Sequence, residues 1–379
     1  MNSYDAIVIG LGGVGGAAAM HLARRGAHVL GIERFSLGHD RGSSHGQTRI
    51  IRQAYFEHPD YVPLLRRAYA LWEELESHCG EQLYWEAGLL EVGPADGVVV
   101  PGVRESARRY TLPVDEFSPA EAMRQFPAFV IPDDCVAMFE RRAGLLHVER
   151  CVLAHADEAR KLGADLHAGE SVLRWSADKG GVVVETDVAT YGAAKLVVAG
   201  GAWSSQLLSD LRVPLRVVRK HLHWHANDDP RYRLDGGCPT FFYETRQGYF
   251  YGFPQLDERG VKLAEHSGGE EAADPLGVNR DEDPRDVERV GDFLRAHLPG
   301  VSAQRTGHAV CMYTLTADEH FLVDRHPEHP QVVFAAGLSG HGFKFTGVLG
   351  EILADLALAG ETTQPVEFLR LDRPGIRSR

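Results

Sequence analysis

The sequence predicts an α/β fold: a parallel-sheet unit interleaved along the chain with a second unit built on a large mixed β-sheet. Three observations predict it. Residues 4–9 form an apolar strand that runs straight into Gly10, Gly12 and Gly15 and then an amphipathic helix, the layout of a parallel βαβ unit. A buried strand meeting glycines returns at Lys195–Trp203 and again at 332–342. Residues 215–265 alternate apolar and polar side chains, as strands of a half-buried sheet do. A length of 379 residues calls for two domains or one large doubly wound unit.

Composition narrows the function classes. The chain is 44% hydrophobic and 25% charged, which is ordinary for a folded globular protein. A net charge of −13 argues against nucleic-acid partners, whose binding needs a basic face. No apolar run reaches the roughly 18–20 residues of a membrane span. The start MNSYDAIVIG has neither a basic n-region nor a cleavage site, and the five cysteines (79, 135, 151, 238, 311) form no CxxC. A cytoplasmic enzyme in a reducing compartment is the expectation. Among the 40 basic residues only six are lysines, at 161, 179, 195, 220, 262 and 344, so a lysine in an apolar stretch raises a question of purpose.

In chain order, the first βαβ unit comprises strand 4–9, a helix ending near Gly26, and strand 28–33 ending in Glu33. Residues 61–76 carry Leu64, Leu65, Ala68, Leu71, Trp72 and Leu75 at helical spacing. Short strands and a helix near 103–110 fill 82–143. A helix at 149–162, strands near 164–175 and 181–186, and the strand into Gly200 follow. The acidic, Gly/Pro-rich stretch 268–286 reads as a surface loop. A helix near 287–297, the strand of 332–337 and a final helix over 346–358 complete the chain. The implied division is discontinuous: 1–80, 145–215 and 305–379 form the nucleotide-binding unit, and 81–144 and 216–304 the substrate unit.

The glycine pattern carries the first chemistry. Gly10 permits a tight turn, Gly12 lets backbone approach a pyrophosphate, and Gly15 lets helix and strand pack closely, a Rossmann-like arrangement. The helix N-terminus offers free N–H groups to phosphates. Glu33, 18 residues after Gly15, is placed to bond an adenosine ribose. The motif alone does not separate FAD from NAD; the second strand, ending in Ala199-Gly200-Gly201 before Trp203, points to FAD, although any buried strand and turn reads the same. Arg49 and Arg52 would share a face in a helical turn and hold a carboxylate or polarise a ring; the alternative is a solvated basic turn. Strand alternation puts Lys262, Ala264 and His266 on one face, inward or toward water. Lys344, in the turn from Ser339 into the last helix, sits where anions bind, or points to solvent. Cys311 alone reads as a buried thiol. No HExxH, GxSxG or metal-ligand spacing occurs.

The run from Cys311 to Phe345 and the run from Gly42 to Tyr55, with the rest of the chain, resemble the monomeric sarcosine oxidase and N-methyltryptophan oxidase family. The resemblance implies an FAD-dependent amine oxidase, covalently flavinylated through Cys311. It implies oxidation of a secondary-amine amino acid to an imine, hydrolysis to the amino acid and formaldehyde, and reduction of O2 to hydrogen peroxide. It implies that Arg52 and Lys344 clamp the substrate carboxylate, that Arg49 lies against the flavin ring, and that Lys262 serves oxygen reduction. It assigns His45, Tyr251, His266 and Tyr313 to the cavity. It assigns the cofactor shell to Gly10, Gly12, Gly15, Glu33, Ser43, Thr48, Arg49, Val172, Gly200, Trp203, Cys311, Gly340, Gly342, Phe343 and Lys344. The family also implies a monomer, a point on which the residues themselves are silent. Gln47 and Gln53 replace an Asp and a His of the family pattern. Phe242 and Tyr243 stand where the substrate side chain is judged, leaving sarcosine, N-methyltryptophan, another N-methyl amino acid and cyclic imino acids open. The rivals are an FAD-binding protein without oxidase activity and an NAD-dependent or dehydrogenase-type enzyme.

Overall fold

The computed structural model describes residues 3–376. Its first sheet is organised by the strand Ser3–Ile9, which pairs in parallel with Val29–Glu33 on one side and Thr190–Val198 on the other. Val332–Ala336 adds in parallel to the end of Thr190–Val198, and Leu322–Arg325 adds antiparallel beyond it. The helix Gly13–Arg24 lies between Thr346–Leu358 and Val148–Lys161. Small residues let it do so: a Cβ on Gly350 would meet Ala17 at 2.6 Å. These interfaces form one large apolar core with Leu64, Leu65, Ala68 and Trp72 of the helix Val62–Cys79.

The second sheet contains nine strands among the described residues. Its centre is the antiparallel run Arg216–His225, Val261–Glu265, Gly248–Phe253 and Thr240–Thr245, joined in parallel to Leu89–Pro94. Helix Pro284–His297 covers one face, where Val290, Phe293 and Leu294 join the sheet's aromatic residues. A third, three-stranded sheet sets Thr48–Ile51 against Gly144–His147 and Tyr84–Trp85.

Four expectations are corrected. Arg305–Leu315, assigned by sequence to the nucleotide-binding unit, pairs along its length with Arg216–His225 and belongs to the second sheet. Two of that sheet's central strands are covered on both faces rather than half-buried: every residue of Val261–Glu265 is buried, and nine of ten in Arg216–His225. Arg49 lies in a strand, with Arg52 just beyond it, so the two do not share a helical face. Helix Pro284–His297 begins inside the stretch read as loop, because Asp283 caps it by accepting from Arg285 N and Pro284 starts its first turn.

Candidate functional site

A long open cleft, about 1460 Å³ of empty space including the solvent at its mouth, runs over the C-terminal ends of the first sheet. Its floor follows from the glycines. Gly10 has φ +86°, and a Cβ there would strike Ala199 O at 2.5 Å. A Cβ on Gly15 would lie 1.7 Å from Gly10 O, so only glycine lets helix and strand approach this closely. At Gly12 the nearest atom to an added Cβ is Ser44 Oγ at 3.5 Å, so the space above this backbone is open. The helix it caps has no acidic residue in its first turn; Gly13 N donates to Ser44 Oγ at 3.2 Å, and the helix's positive end favours an anion. Glu33 accepts from Leu11 N at 2.9 Å and Phe35 N at 3.0 Å, fixing the turn at this end of the cleft.

Ser43, Val172, Gly200, Trp203, Gly340, Gly342 and Phe343 also line the cleft. Trp203 Nε1, Thr314 Oγ1 and Thr346 Oγ1 are buried in its walls without hydrogen-bond partners. Buried polar atoms of this kind call for a ligand or water, and an extended dinucleotide fits both the shape and the donors. Gly15, Thr48, Cys311 and Lys344, expected in the cofactor shell, do not line the cleft: Gly15 serves packing, Thr48 and Cys311 are buried, and Lys344 lines a smaller cavity beside it.

At the cleft's inner end Arg49 gathers Ser43, Thr48 and Cys311. Its guanidinium donates to Thr48 O at 2.8 Å, Ser43 O at 2.9 Å and Cys311 Sγ at 3.2 Å. Burial raises the thiol's pKa, but the Arg49 charge and the His45 side chain outweigh it and hold Cys311 down at about 6, so the thiolate predominates at neutral pH. His45 is buried with Nε2 unpartnered. Lys262, 1% exposed, donates to Gly46 O at 2.5 Å, Thr48 O at 3.0 Å and Thr48 Oγ1 at 3.2 Å. Burial and the nearby Arg49 push its pKa well below the ordinary lysine value.

A smaller cavity, about 500 Å³ of empty space, shares Arg49, Tyr313, Gly340 and Phe343 with the cleft. Ile50, Arg52, Glu57, Phe242, Tyr251, His266, His341 and Lys344 complete its lining. Tyr251, His266 and Tyr313 form one aromatic wall, with Tyr313 Oη 3.3 Å from His266 Nδ1. Burial and the Lys220 charge lower His266 to about 3, keeping it neutral. Phe242 packs on Phe56 and His266, ring centres 5.2 and 5.7 Å apart. Tyr243, expected beside it, points through the sheet to Phe293 and His297 instead.

The cavity's cations are the part that sequence reading described least well. Arg52 Nη2 meets both oxygens of Glu57 at 2.8 and 2.7 Å, and its guanidinium stacks on Tyr55 and Phe56. Glu91 Oε1 lies 3.5 Å from Arg52 Nε. Burial, opposed by Arg52 and reinforced by Glu140 and Glu57, pushes Glu91 up to about 8, so Glu57 is the working counter-ion. Lys344 Nζ donates to His341 O at 2.8 Å, and burial with Arg52 repulsion lowers it to about 7. Tyr55 Oη lies 2.5 Å from His341 Nδ1, behind Lys344. Glu57 and Glu91 were not among the sequence candidates; the one signal for Glu91 was an acid within the apolar strand Leu89–Pro94.

A family profile described as FAD dependent oxidoreductase matches residues 5–356. The chain belongs to that family. Members similar to this oxidoreductase include the monomeric sarcosine oxidase of Streptomyces avermitilis, 43% identical over 372 residues and covering 96% of both chains. The monomeric sarcosine oxidase of Bacillus sp. (strain B-0618) is 38% identical, over 99% of this chain and 97% of its own. The N-methyl-L-tryptophan oxidase of Yersinia pestis (strain Pestoides F) is 38% identical over 96% and 97%. Among solved structures, NikD, an amino acid oxidase essential for nikkomycin biosynthesis, superposes with a TM-score of 0.86 at 27% identity, covering 98% of both chains. Within this FAD-dependent family, the cleft with its open Gly12 backbone is where residues of this chain fit FAD.

Proposed function

We propose that this oxidoreductase oxidises a small N-methyl amino acid such as sarcosine, giving the demethylated amino acid, formaldehyde and hydrogen peroxide. The observation that carries the reading is the juxtaposition of Arg52 and Lys344 in a small aromatic cavity that opens onto the FAD-sized cleft. FAD, when bound, accepts the two electrons and proton of the C–H bond beside the amine and passes the electrons to oxygen. Arg52 and Lys344 hold the substrate carboxylate, a planar fork and a point charge on one anion. Glu57 yields the face of Arg52 to the incoming carboxylate. Tyr251, His266, Tyr313 and Phe242 exclude water and fix the amine's orientation; with His266 neutral, this aromatic wall adds no positive charge to that of Arg49, Arg52 and Lys344. The Cys311 thiolate, stabilised by Arg49 and His45, is the attachment point for FAD. Lys262 supplies the positive charge that stabilises negative charge developing on oxygen. Phe242 narrows the cavity toward small substrates and away from indole-sized ones. The likeness to monomeric sarcosine oxidases supports a monomer, and five free cysteines support a cytoplasmic setting.

A substrate panel scored by peroxide tests the reading. Sarcosine and other small N-methyl amino acids should be turned over, their esters and dimethylamine poorly. Equal turnover of ester and acid would defeat the carboxylate clamp, and a yellow protein that never forms peroxide would be a dehydrogenase or a binder.

A further inference from the structure

Lys262 touches no carboxylate, yet its amine is buried with Arg49 as a neighbour, and both lower its pKa. Its acceptors all come from one turn, Gly46–Thr48, and that turn has an unusual shape. Gly46 has φ +89° and Gln47 φ +74°, a region a side chain adopts only when the surroundings impose it. Glu149, in the first turn of the helix Val148–Lys161, imposes it by accepting from Gly46 N at 2.6 Å and from Gln47 N at 3.1 Å through either oxygen. Gln47 is braced further: its Oε1 accepts from Trp224 Nε1 at 2.7 Å, and its Nε2 donates to Asp257 Oδ2 at 3.1 Å.

Gln47 N–H and Gly46 C=O belong to the same peptide unit, and in a trans peptide they point in opposite directions. Anchoring the N–H on Glu149 therefore aims the carbonyl at Lys262. The carboxylate, one peptide dipole and the ammonium stand in a row with their charges aligned. We infer that Glu149 is a positioning residue for oxygen reduction, acting through the Gly46–Gln47 peptide to place Lys262 and keep it charged. This rests on the proposed role of Lys262. The groups facing Lys262 are Arg49 and Arg259, which repel it, and Glu149 and Cys311, which favour its charge. Arg259 is tied to Asp257, and Glu149 itself faces Arg49, Arg259 and His147. Once Cys311 is bonded to FAD its sulfur carries no charge, and Glu149 is the anion left in this set.

The test uses the holoenzyme and Glu149→Gln, which keeps an acceptor oxygen and removes the charge. With only six lysines in the chain, isotope-labelled lysine side chains are resolvable by NMR, and Lys262→Met assigns the signal. The Lys262 titration midpoint should fall by about one pH unit in Glu149→Gln. Chemically reduced enzyme mixed with oxygen should then reoxidise about tenfold more slowly at a pH above both midpoints, because the charged fraction falls tenfold per unit. Anaerobic reduction by substrate should stay within about twofold, which a general structural defect would not allow. An unchanged midpoint overturns the inference, as does an equal loss in both half-reactions. If reduced wild-type enzyme reacts with oxygen no faster than free reduced flavin, the oxidase reading fails, while the NMR midpoint still decides the coupling of Glu149 to Lys262. Should Glu149→Gln not fold, wild-type Lys262 is titrated alone and in Glu149→Asp: a lysine already neutral at pH 7 overturns the inference, and a charged one whose midpoint the shorter carboxylate lowers supports it.

Discussion

Arg49 and Arg52 stand three residues apart and have their hydrogen bonds satisfied in opposite ways. Arg49 meets two backbone carbonyls and a thiol, and Arg52 meets the carboxylate of Glu57 with Glu91 behind it. A carbonyl satisfies a guanidinium's hydrogen bonds without cancelling its charge. The field of Arg49 therefore remains available to whatever lies beside it, and it acts on Cys311. The charge of Arg52 is already matched, so an incoming anion must displace a resident one. One arginine is an electrostatic source and the other a socket with a removable plug.

The largest effects should fall on the Arg49 side. Cys311→Ser should leave no flavin on acid-denatured protein. Arg49→Met should slow attachment of FAD to apoprotein at pH 7 by about 100-fold, as the thiol returns toward its ordinary range or above. In the wild type the attachment rate should rise with pH through about 6 and then level off, since the thiolate forms as pH rises; in the variant it should still be rising at pH 9. Intact mass over time measures both. A flat, unshifted profile in Arg49→Met would break the contrast.

On the other side, Arg52→Met should weaken binding of carboxylate inhibitors by about 2–5 kcal/mol, the usual consequence of truncating one partner of a buried charge pair. Lys344 adds a pH signature. Its cationic form binds the anion and is lost as pH rises, so inhibitor affinity should fall by up to about tenfold per unit above about 7. Lys344→Met should flatten that slope in a spectral titration. The smallest change is expected in Glu57→Gln, which removes the competing carboxylate and should tighten inhibitor binding by about 1 kcal/mol. Weaker binding there would mean that Glu57 orients Arg52 more than it competes for it.

What the sequence made legible follows the range of each interaction. Gly10, Gly12, Gly15 and Glu33 obey a local backbone rule; Gly10, Gly12 and Glu33 line the cleft, and Gly15 packs helix against strand. Arg52 and Lys344 converge from distant segments, and only the family resemblance paired them. Glu57 escaped notice because it lies in an irregular stretch with no periodicity to mark its direction. Tyr243 was misplaced by parity: parallel pairing sets Phe242 beside Glu91 and Tyr243 beside Val92, and adjacent strand residues face opposite sides. Arg305–Leu315 was assigned to the wrong sheet because it is close in sequence to Val332–Ala336, whereas its register with Arg216–His225 is set by pairing across the fold.

That strand has a consequence for how the protein comes apart. Cys311 belongs to the second sheet, while the cleft for the dinucleotide is built on the first. With the proposed thioether in place, the cofactor is a rivet through two separately organised sheets. A dissociable ligand loses its stabilising effect as its free concentration falls. A tethered one keeps a fixed local concentration at any dilution. Peeling either sheet away uncovers the same bound molecule, so the two sheets should unfold together in the holoprotein and can separate into two steps once the sulfur is removed.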